Sequence, residues 1–375
     1  MNRILTISFA IFAVCTGILF SQKVYFVEGD ATHSIYKILR ADPDGSHTED
    51  LISSGLVDPR GIAVDATGGK MYWTDKGANT ISRADLDGGN IEVLVSEGLE
   101  DPFGIAVDAT AGKIYWCDYT RDVIMRANLD GSSCEAIVDT LLSGPRCVAL
   151  DPAGGKMYWT ERTAMKIQCA SLDGKDIRDL VTAGLEKPYG IAVDPVSGRL
   201  FWTDSGTNKV QSSDLDGSNI TDVVSAGLDN PLFIAVNTAD GKIYLTDANT
   251  GRIQKCNMDG TDLVSLMIIG ISSPRGIDIL PAVSSDEESA HPAYSLDVFP
   301  NPTNGTVYFR AWWEKGNARI LVHDAAGKLV RERIVNPDEE GKKISVNQLA
   351  PGFYSCLLEA TNGRSMTRKF QMLRD

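Results

Sequence analysis

Carboxylates on a fixed spacing are the first residues in this chain that chemistry could use. One tier is Asp65, Asp108, Asp151 and Asp194, and a second is Asp75, Asp118, Glu161, Asp204 and Asp247; neighbours within a tier stand 43 residues apart. A ring of such acids around an axis would suit a cation. The bland reading is that each acid ends a strand and accepts from turn or neighbouring amides. Acids that recur at a structural period favour the bland reading. Asp85-Leu-Asp-Gly88 and its copies look like pieces of a calcium loop. Such a loop needs six to eight oxygens including a bidentate carboxylate. No Glu follows Asp-Gly at a constant position, so a hairpin turn is the expectation there.

Other catalytic chemistry finds little material. The histidines are His33, His47, His291 and His323, and only the first two lie among the repeats. No nucleophile elbow, phosphate-binding loop, His-Glu-x-x-His or dinucleotide fingerprint occurs. More informative is what varies while the repeat stays constant. One variable address holds Arg60, Phe103, Arg146, Tyr189, Leu232 and Arg275. Another holds Lys76, Tyr119-Thr-Arg121, Arg162 and Ser205. Architecture demands uniformity and a binding surface does not. Aromatic residues and arginine are also the usual interface anchors. Arg60, Lys76, Phe103, Tyr119, Arg121, Arg146, Arg162, Tyr189 and Arg275 are therefore the candidate ligand-binding face. A cationic and aromatic face on an acidic body suits an anionic protein segment or glycan.

The elements that must position these residues come from the repeat. Pro59, Pro102, Pro145, Pro188, Pro231 and Pro274 open successive units, each 43 residues after the last. Every unit offers four strand-like runs joined by Gly- and Asp-rich turns, the pattern of a β-propeller blade. The second run carries the structural motif: Tyr72-Trp73-Thr-Asp75, Tyr115-Trp116-Cys-Asp118, Tyr158-Trp159-Thr-Glu161, Phe201-Trp202-Thr-Asp204 and Tyr244-Leu-Thr-Asp247. The last first strand, Gly276–Leu280, has no successor. The N-terminal runs Val24–Glu28, Ile38–Arg40 and Asp50–Ile52 supply strands two to four. Six blades follow, the sixth stitched from both ends of the chain. In such a ring both variable addresses fall on one face, around the channel mouth.

Composition bounds the rest. The 375 residues carry 36 Lys+Arg against 50 Asp+Glu, a net charge of -14, which argues against nucleic acid as a partner. Met1-Asn-Arg and the apolar run Ile4–Phe20 read as a signal peptide over 1–21, with no membrane span expected in the mature protein. Six cysteines remain after it. Cys117 and Cys134 would be separated by a strand, about 9–10 Å, too far to bridge. The thiols are expected to be free. The propeller is expected over 22–281, a polar linker over 282–293 and a small β-sandwich over 294–375. No cofactor is expected.

The string Gly-Ile-Ala-Val-Asp, Gly-Lys-x-Tyr-Trp-Thr-Asp, Ile-x-Arg, Leu-Asp-Gly resembles the class B repeats of low-density-lipoprotein-receptor-type proteins. The resemblance covers residues 24–280 and implies an all-β, six-bladed propeller that binds proteins outside the cell. No cysteine-rich growth-factor-like module follows here, so receptor ligands do not carry over. Phe299-Pro-Asn-Pro-Thr-Asn-Gly305, Asp324-Ala-Ala-Gly-Lys328, Leu349-Ala-Pro-Gly-Phe-Tyr354 and Asn362-Gly363 resemble the C-terminal sorting domains of type IX secretion cargo. That implies export, with the type IX machinery as a partner, to the cell surface or the medium. The alternative function is a metal-dependent hydrolase or lactonase with a site in the channel. Six-bladed gluconolactonase-like enzymes use acids and amides there, where this chain places uniform Ile-Ala-Val.

Overall fold

A computed structural model describes residues 22–30, 35–266, 268, 270–281, 294–299, 306–313, 318–324, 328–335, 343–345, 350, 352–360 and 365–372. The signal peptide and the linker read from the sequence lie outside the described residues, as do several tail motifs. The chain divides into two compact units, Met1–Val283 and Ser284–Asp375. The described secondary structure is all strand.

The first unit is a ring of six four-stranded antiparallel sheets. Blades one to five open with the inner strands Pro59–Asp65, Pro102–Asp108, Pro145–Asp151, Pro188–Asp194 and Pro231–Asn237. Blade six joins Pro274–Leu280 to Lys23–Asp30, Ile35–Ala41 and Glu49–Ile52. The two chain segments pair antiparallel, with Val24 opposite Ile279 and Phe26 opposite Ile277. Glu28 reinforces the seam, its Oε1 accepting from Ser272 N at 2.8 Å and Ser273 N at 3.0 Å.

Packing follows the alternation of side chains along each second strand. Consecutive residues point to opposite sheet faces, so Tyr72 packs toward blade two and Trp73 toward blade six. Tyr115 and Trp116 repeat the arrangement one blade on. Both faces of a blade are covered by neighbours, which is why these strands are buried along nearly their whole length. Trp116, Trp159 and Trp202 are fully buried. Phe26 and Leu245 fill the corresponding places in blades six and five.

In blades one, three and four a hydroxyl ties the blade to the next. Every inner strand of blades one to five has a register break just after its proline, as between Pro59 and Ile62. The extra residue of this bulge leaves Gly61 N free of the ladder, and it donates to Thr74 Oγ1 at 2.8 Å. Thr74 in turn donates to Phe103 O in blade two. Thr160 accepts from Cys147 N at 3.3 Å and donates to Tyr189 O at 2.6 Å. Thr203 links Gly190 N and Leu232 O in the same way. Inner strands approach so closely that a Cβ on Gly104 would lie 2.5 Å from Cys147 Cα. On the opposite face, Arg83 donates to Leu129 O at 2.8 Å and Arg126 to Leu172 O at 3.0 Å, so the arginine of Ile-x-Arg also bridges blades.

Cys117, Cys134, Cys147, Cys169 and Cys256 are free thiols. Cys134 falls just short of the outer strand Glu135–Val138 rather than on it, and is exposed. The second unit contains a three-stranded sheet of Tyr294–Phe299, Thr306–Trp313 and Lys343–Ser345. Its four-stranded sheet is ordered Leu329–Val335, Ala318–Asp324, Gly352–Ala360, Ser365–Met372. Ile320 and Val322 are buried there.

The stitch has a measurable cost. Thr160→Val keeps the shape but leaves Cys147 N–H and Tyr189 C=O unpaired in a dry interface, a loss of about 1–3 kcal/mol. Chemical denaturation should show a lower midpoint, and Thr160→Ser should recover most of it. Cys117 stands where the other motifs have threonine, so Cys117→Thr should raise the midpoint.

Candidate ligand site at the channel mouth

Bulges re-aim side chains. The residue after each opening proline lies in the bulge, at the mouth end of its inner strand. The turn after each second strand reaches the same face: Lys76 N donates to Asp58 O at 3.1 Å and Tyr119 N to Asp101 O at 2.9 Å. The structure thus gathers Arg60, Lys76, Phe103, Tyr119, Arg146 and Tyr189.

Arg146 is the centre of this group. Its guanidinium carbon lies 3.9 Å from the Tyr119 ring centroid, 4.0 Å from that of Phe103 and 5.3 Å from that of Tyr189. The residue is 7% exposed, and its Nε has no hydrogen-bond partner. No carboxylate, carbonyl or hydroxyl among the described residues accepts from it. Burial holds its pKa below the usual arginine value. A buried cation without an anion is costly, and stacking on aromatic faces offsets only part of that cost.

Most of the remaining cations are engaged. Arg60 pairs with Asp58 at 2.6 Å and stands 5.3 Å from the Phe103 centroid. Arg275 is buried in the blade-six seam, where it donates to Asp58 and to Gly29 O. Lys76 pairs with Asp101 at 3.1 Å. Arg121 donates to Gly98 O on a loop further out. Arg162 is half-buried beside Tyr119, with its Nε unpartnered. Thr163 beside the Tyr119 hydroxyl, helped by Arg146 and Arg162, holds that phenol below its ordinary pKa. Tyr189 packs edge-on against Phe103 at 5.8 Å and Phe233 at 5.4 Å.

Phe233, Asp58 and Asp278 were missed by the reading of the mouth. Phe233 and Asp278 each break a column of the repeat, Gly and Ala respectively, and that was the available signal. Below the mouth lies a channel cavity of about 220 Å3 walled by the inner strands. Asp278 is the one charged residue of its described lining. Its carboxylate accepts from Val64 N and Ile279 N, both at 2.8 Å, and burial between aliphatic walls pushes it up to about 6.

The repeated acids are occupied as turn acceptors. Asp75 takes Val57 N at 2.9 Å and Asp58 N at 2.8 Å; Asp118 and Asp204 take the equivalent amide pairs. Asp65 Oδ1 accepts from Thr67 N and Gly68 N. Among the described residues, no three His, Cys, Asp or Glu side chains gather as metal ligands. Glu161 takes Ser143 N at 2.6 Å and Trp159 Nε1 at 2.8 Å while Gly144 N turns to Asp122; in blade five Asp247 likewise takes Asp229 N while Asn230 N turns to Asn208.

Comparison with known proteins adds to this geometry. The family described as low-density lipoprotein receptor repeat class B matches residues 69–109, 112–152, 155–195 and 198–236. The secretion system C-terminal sorting domain matches 297–372, and an NHL repeat matches 228–256. A chain in the crystal structure of a nidogen/laminin complex is 25% identical, with a TM-score of 0.63, over 69% of this chain and 98% of that one. TolB from Acinetobacter baumannii, 16% identical with a TM-score of 0.58 over 70% of this chain and 67% of its own, is a likeness of fold.

Glu161 makes the site's blade pH-sensitive. Its burial outweighs the two hydrogen bonds and pushes it to about 7 from an ordinary 4.5. The folded state therefore binds more protons than the unfolded between about 4.5 and about 7, and stability falls as pH rises through that window. Asp278 acts with the same sign below about 6. Melting curves across the window should show a smaller fall for Glu161→Gln than for the natural protein, and a smaller one again with Asp278→Asn added.

Proposed function

We propose that this chain, a six-bladed propeller of low-density lipoprotein receptor class B repeats followed by a type IX C-terminal sorting domain, holds an acidic polypeptide segment at the mouth of its channel. The sorting domain places the protein at the cell surface or in the medium. Its working partners are then extracellular, and the propeller acts as a binding module rather than as an enzyme.

One observation carries the reading. Arg146 is a desolvated cation with aromatic rings against it and no internal anion bonded to it. A ligand carboxylate would supply the missing charge and accept the fork of N–H donors, a short charge-assisted contact in a low-dielectric setting. Tyr119, Phe103 and Tyr189 fix the plane of the guanidinium in advance, so little ordering is left to binding. Support also comes from the nidogen/laminin structure, in which a propeller of this kind is seen with a protein partner. A channel hydrolase has less to draw on: the described wall offers one carboxylate, and that carboxylate is already bonded to backbone amides.

The test uses the full secreted chain and fluorescein-labelled peptides in which a single aspartate or asparagine is flanked by alanines. Anisotropy should show the aspartate peptide binding at least tenfold more tightly, a preference of about 1.4 kcal/mol. Arg146→Gln should erase that preference without lowering the thermal midpoint, because it removes an uncompensated buried charge. A variant that keeps the aspartate preference would defeat the proposal. Arg60 and Arg275 are unsuitable for this test, since both brace Asp58.

A further inference from the structure

Two columns of the mouth-face loops adopt the left-handed backbone conformation in every described blade. Four residues before the opening proline stand Gly55, Gly98, Gly184, Gly227 and Gly270, with φ between 71° and 84°. Blade three has Leu141 there, at φ 63°. Four residues after the second-strand acid stand Asn79, Asp122, Asn208 and Gly251. Blade three has Met165 there, at φ 52°. Glycine bears no steric cost in this conformation, and Asn and Asp offset theirs with local hydrogen bonds. Leucine and methionine do neither. Among the described residues, no other large apolar side chain has a positive φ.

Burial does not compensate, because Leu141 is 74% and Met165 48% exposed. Two apolar side chains thus stand in water on backbone that disfavours them, on loops of the same blade. The loops are joined: Arg162 N donates to Gly144 O at 2.9 Å and Ala164 N to Ser143 O at 3.3 Å. They also border the cationic pocket. The Tyr119 hydroxyl meets Thr163 Oγ1 at 3.4 Å, and the other side of the Tyr119 ring system carries Arg146 at 3.9 Å. Gly144 lies so close under Tyr119 that a Cβ there would be 2.8 Å from the ring. The same blade carries Glu161 in place of the usual aspartate, and it accepts from Ser143 N in one of these loops. Strain kept at a site that gains nothing internally from it points outward, to a ligand.

We infer that Leu141 and Met165 form an apolar foothold beside the Arg146 pocket, and that the ligand is a polypeptide segment with an aliphatic side chain a few residues from its carboxylate. The inference rests on the Arg146 reading and adds the second point of contact. A cation without an internal partner fixes the acidic end. Two exposed aliphatic side chains select the other end, and favour an aliphatic residue over a sugar whose hydroxyls they cannot bond. Two-point recognition of this kind defines both the spacing and the direction of the bound segment.

The experiment measures anisotropy with labelled peptides of aspartate and leucine separated by one to four alanines. Counterparts have alanine for leucine or asparagine for aspartate. At the best spacing the leucine peptide should bind roughly tenfold more tightly than its alanine counterpart, the order expected for burying one aliphatic side chain. The double variant Leu141→Gly, Met165→Asn should lose that factor yet keep the preference for aspartate over asparagine, and its thermal midpoint should hold or rise as strain is relieved. Equal binding of leucine and alanine peptides, or a leucine preference that survives in the double variant, overturns the foothold alone. Absence of any aspartate preference overturns the Arg146 reading and this inference with it. Tighter binding of a uronic-acid oligosaccharide than of any peptide, unaffected by the double variant, also overturns it.

Discussion

The ring rests on a threonine hydroxyl held between two blades. In Thr74, Thr160 and Thr203 one oxygen accepts an amide from its own blade and donates to a carbonyl of the next. The arrangement exists only because a bulge after the opening proline takes one amide out of the ladder. Without the hydroxyl that amide and the facing carbonyl would both be buried and unpaired. Most of the contact between blades is apolar, which is non-directional and would tolerate sliding. The hydroxyl gives the contact a register.

The same bulge determines what the mouth looks like. Freeing the amide of the second bulge residue turns the first toward the channel opening. Architecture therefore claims Gly61, Gly104 and Gly190, where strands meet too closely for a side chain, and leaves the preceding position unclaimed. Arg60, Phe103, Arg146, Tyr189, Leu232 and Arg275 occupy it. They are not equivalent. Asp58 draws Arg60 and Arg275 into the seam between blades six and one, while Arg146 is left among rings with no carboxylate bonded to it.

Much of the fold could be read from the chain alone, because a repeat without insertions states its own geometry. Pro59 to Pro274 gave the blade count, and the unmatched strand at Gly276 gave the shared sixth blade. The alternation of Tyr and Trp gave the two packed faces. The candidate site was legible in its addresses and not in its pairings. Arg275 and Asp58 are 217 residues apart, and nothing local in either says that they meet. The burial of Arg146 was equally hidden, since it depends on Tyr119, from a turn, and Phe103, from the neighbouring inner strand, folding over it. Leu141 and Met165 looked like ordinary loop residues because backbone handedness has no letter in the sequence. Only the glycines in the column of Leu141, and the Asn, Asp and Gly in the column of Met165, carried a trace of it.

The shared blade also has a consequence for timing. Lys23–Asp30 waits for Pro274–Leu280, and until the latter is made the former has no partner on one edge. Five sheets can assemble in order behind it, but the circle stays open, with an unpaired strand at one end and an apolar face at the other. Closure cannot precede the arrival of Pro274–Leu280, the stretch of the first unit nearest the sorting domain. A transport route that carries the protein in an unfinished state must shield that gap; one that waits for closure receives a body with no free edge at the seam. Whichever operates, the arrival of residue 280 is the earliest point at which the cargo can become a sealed object.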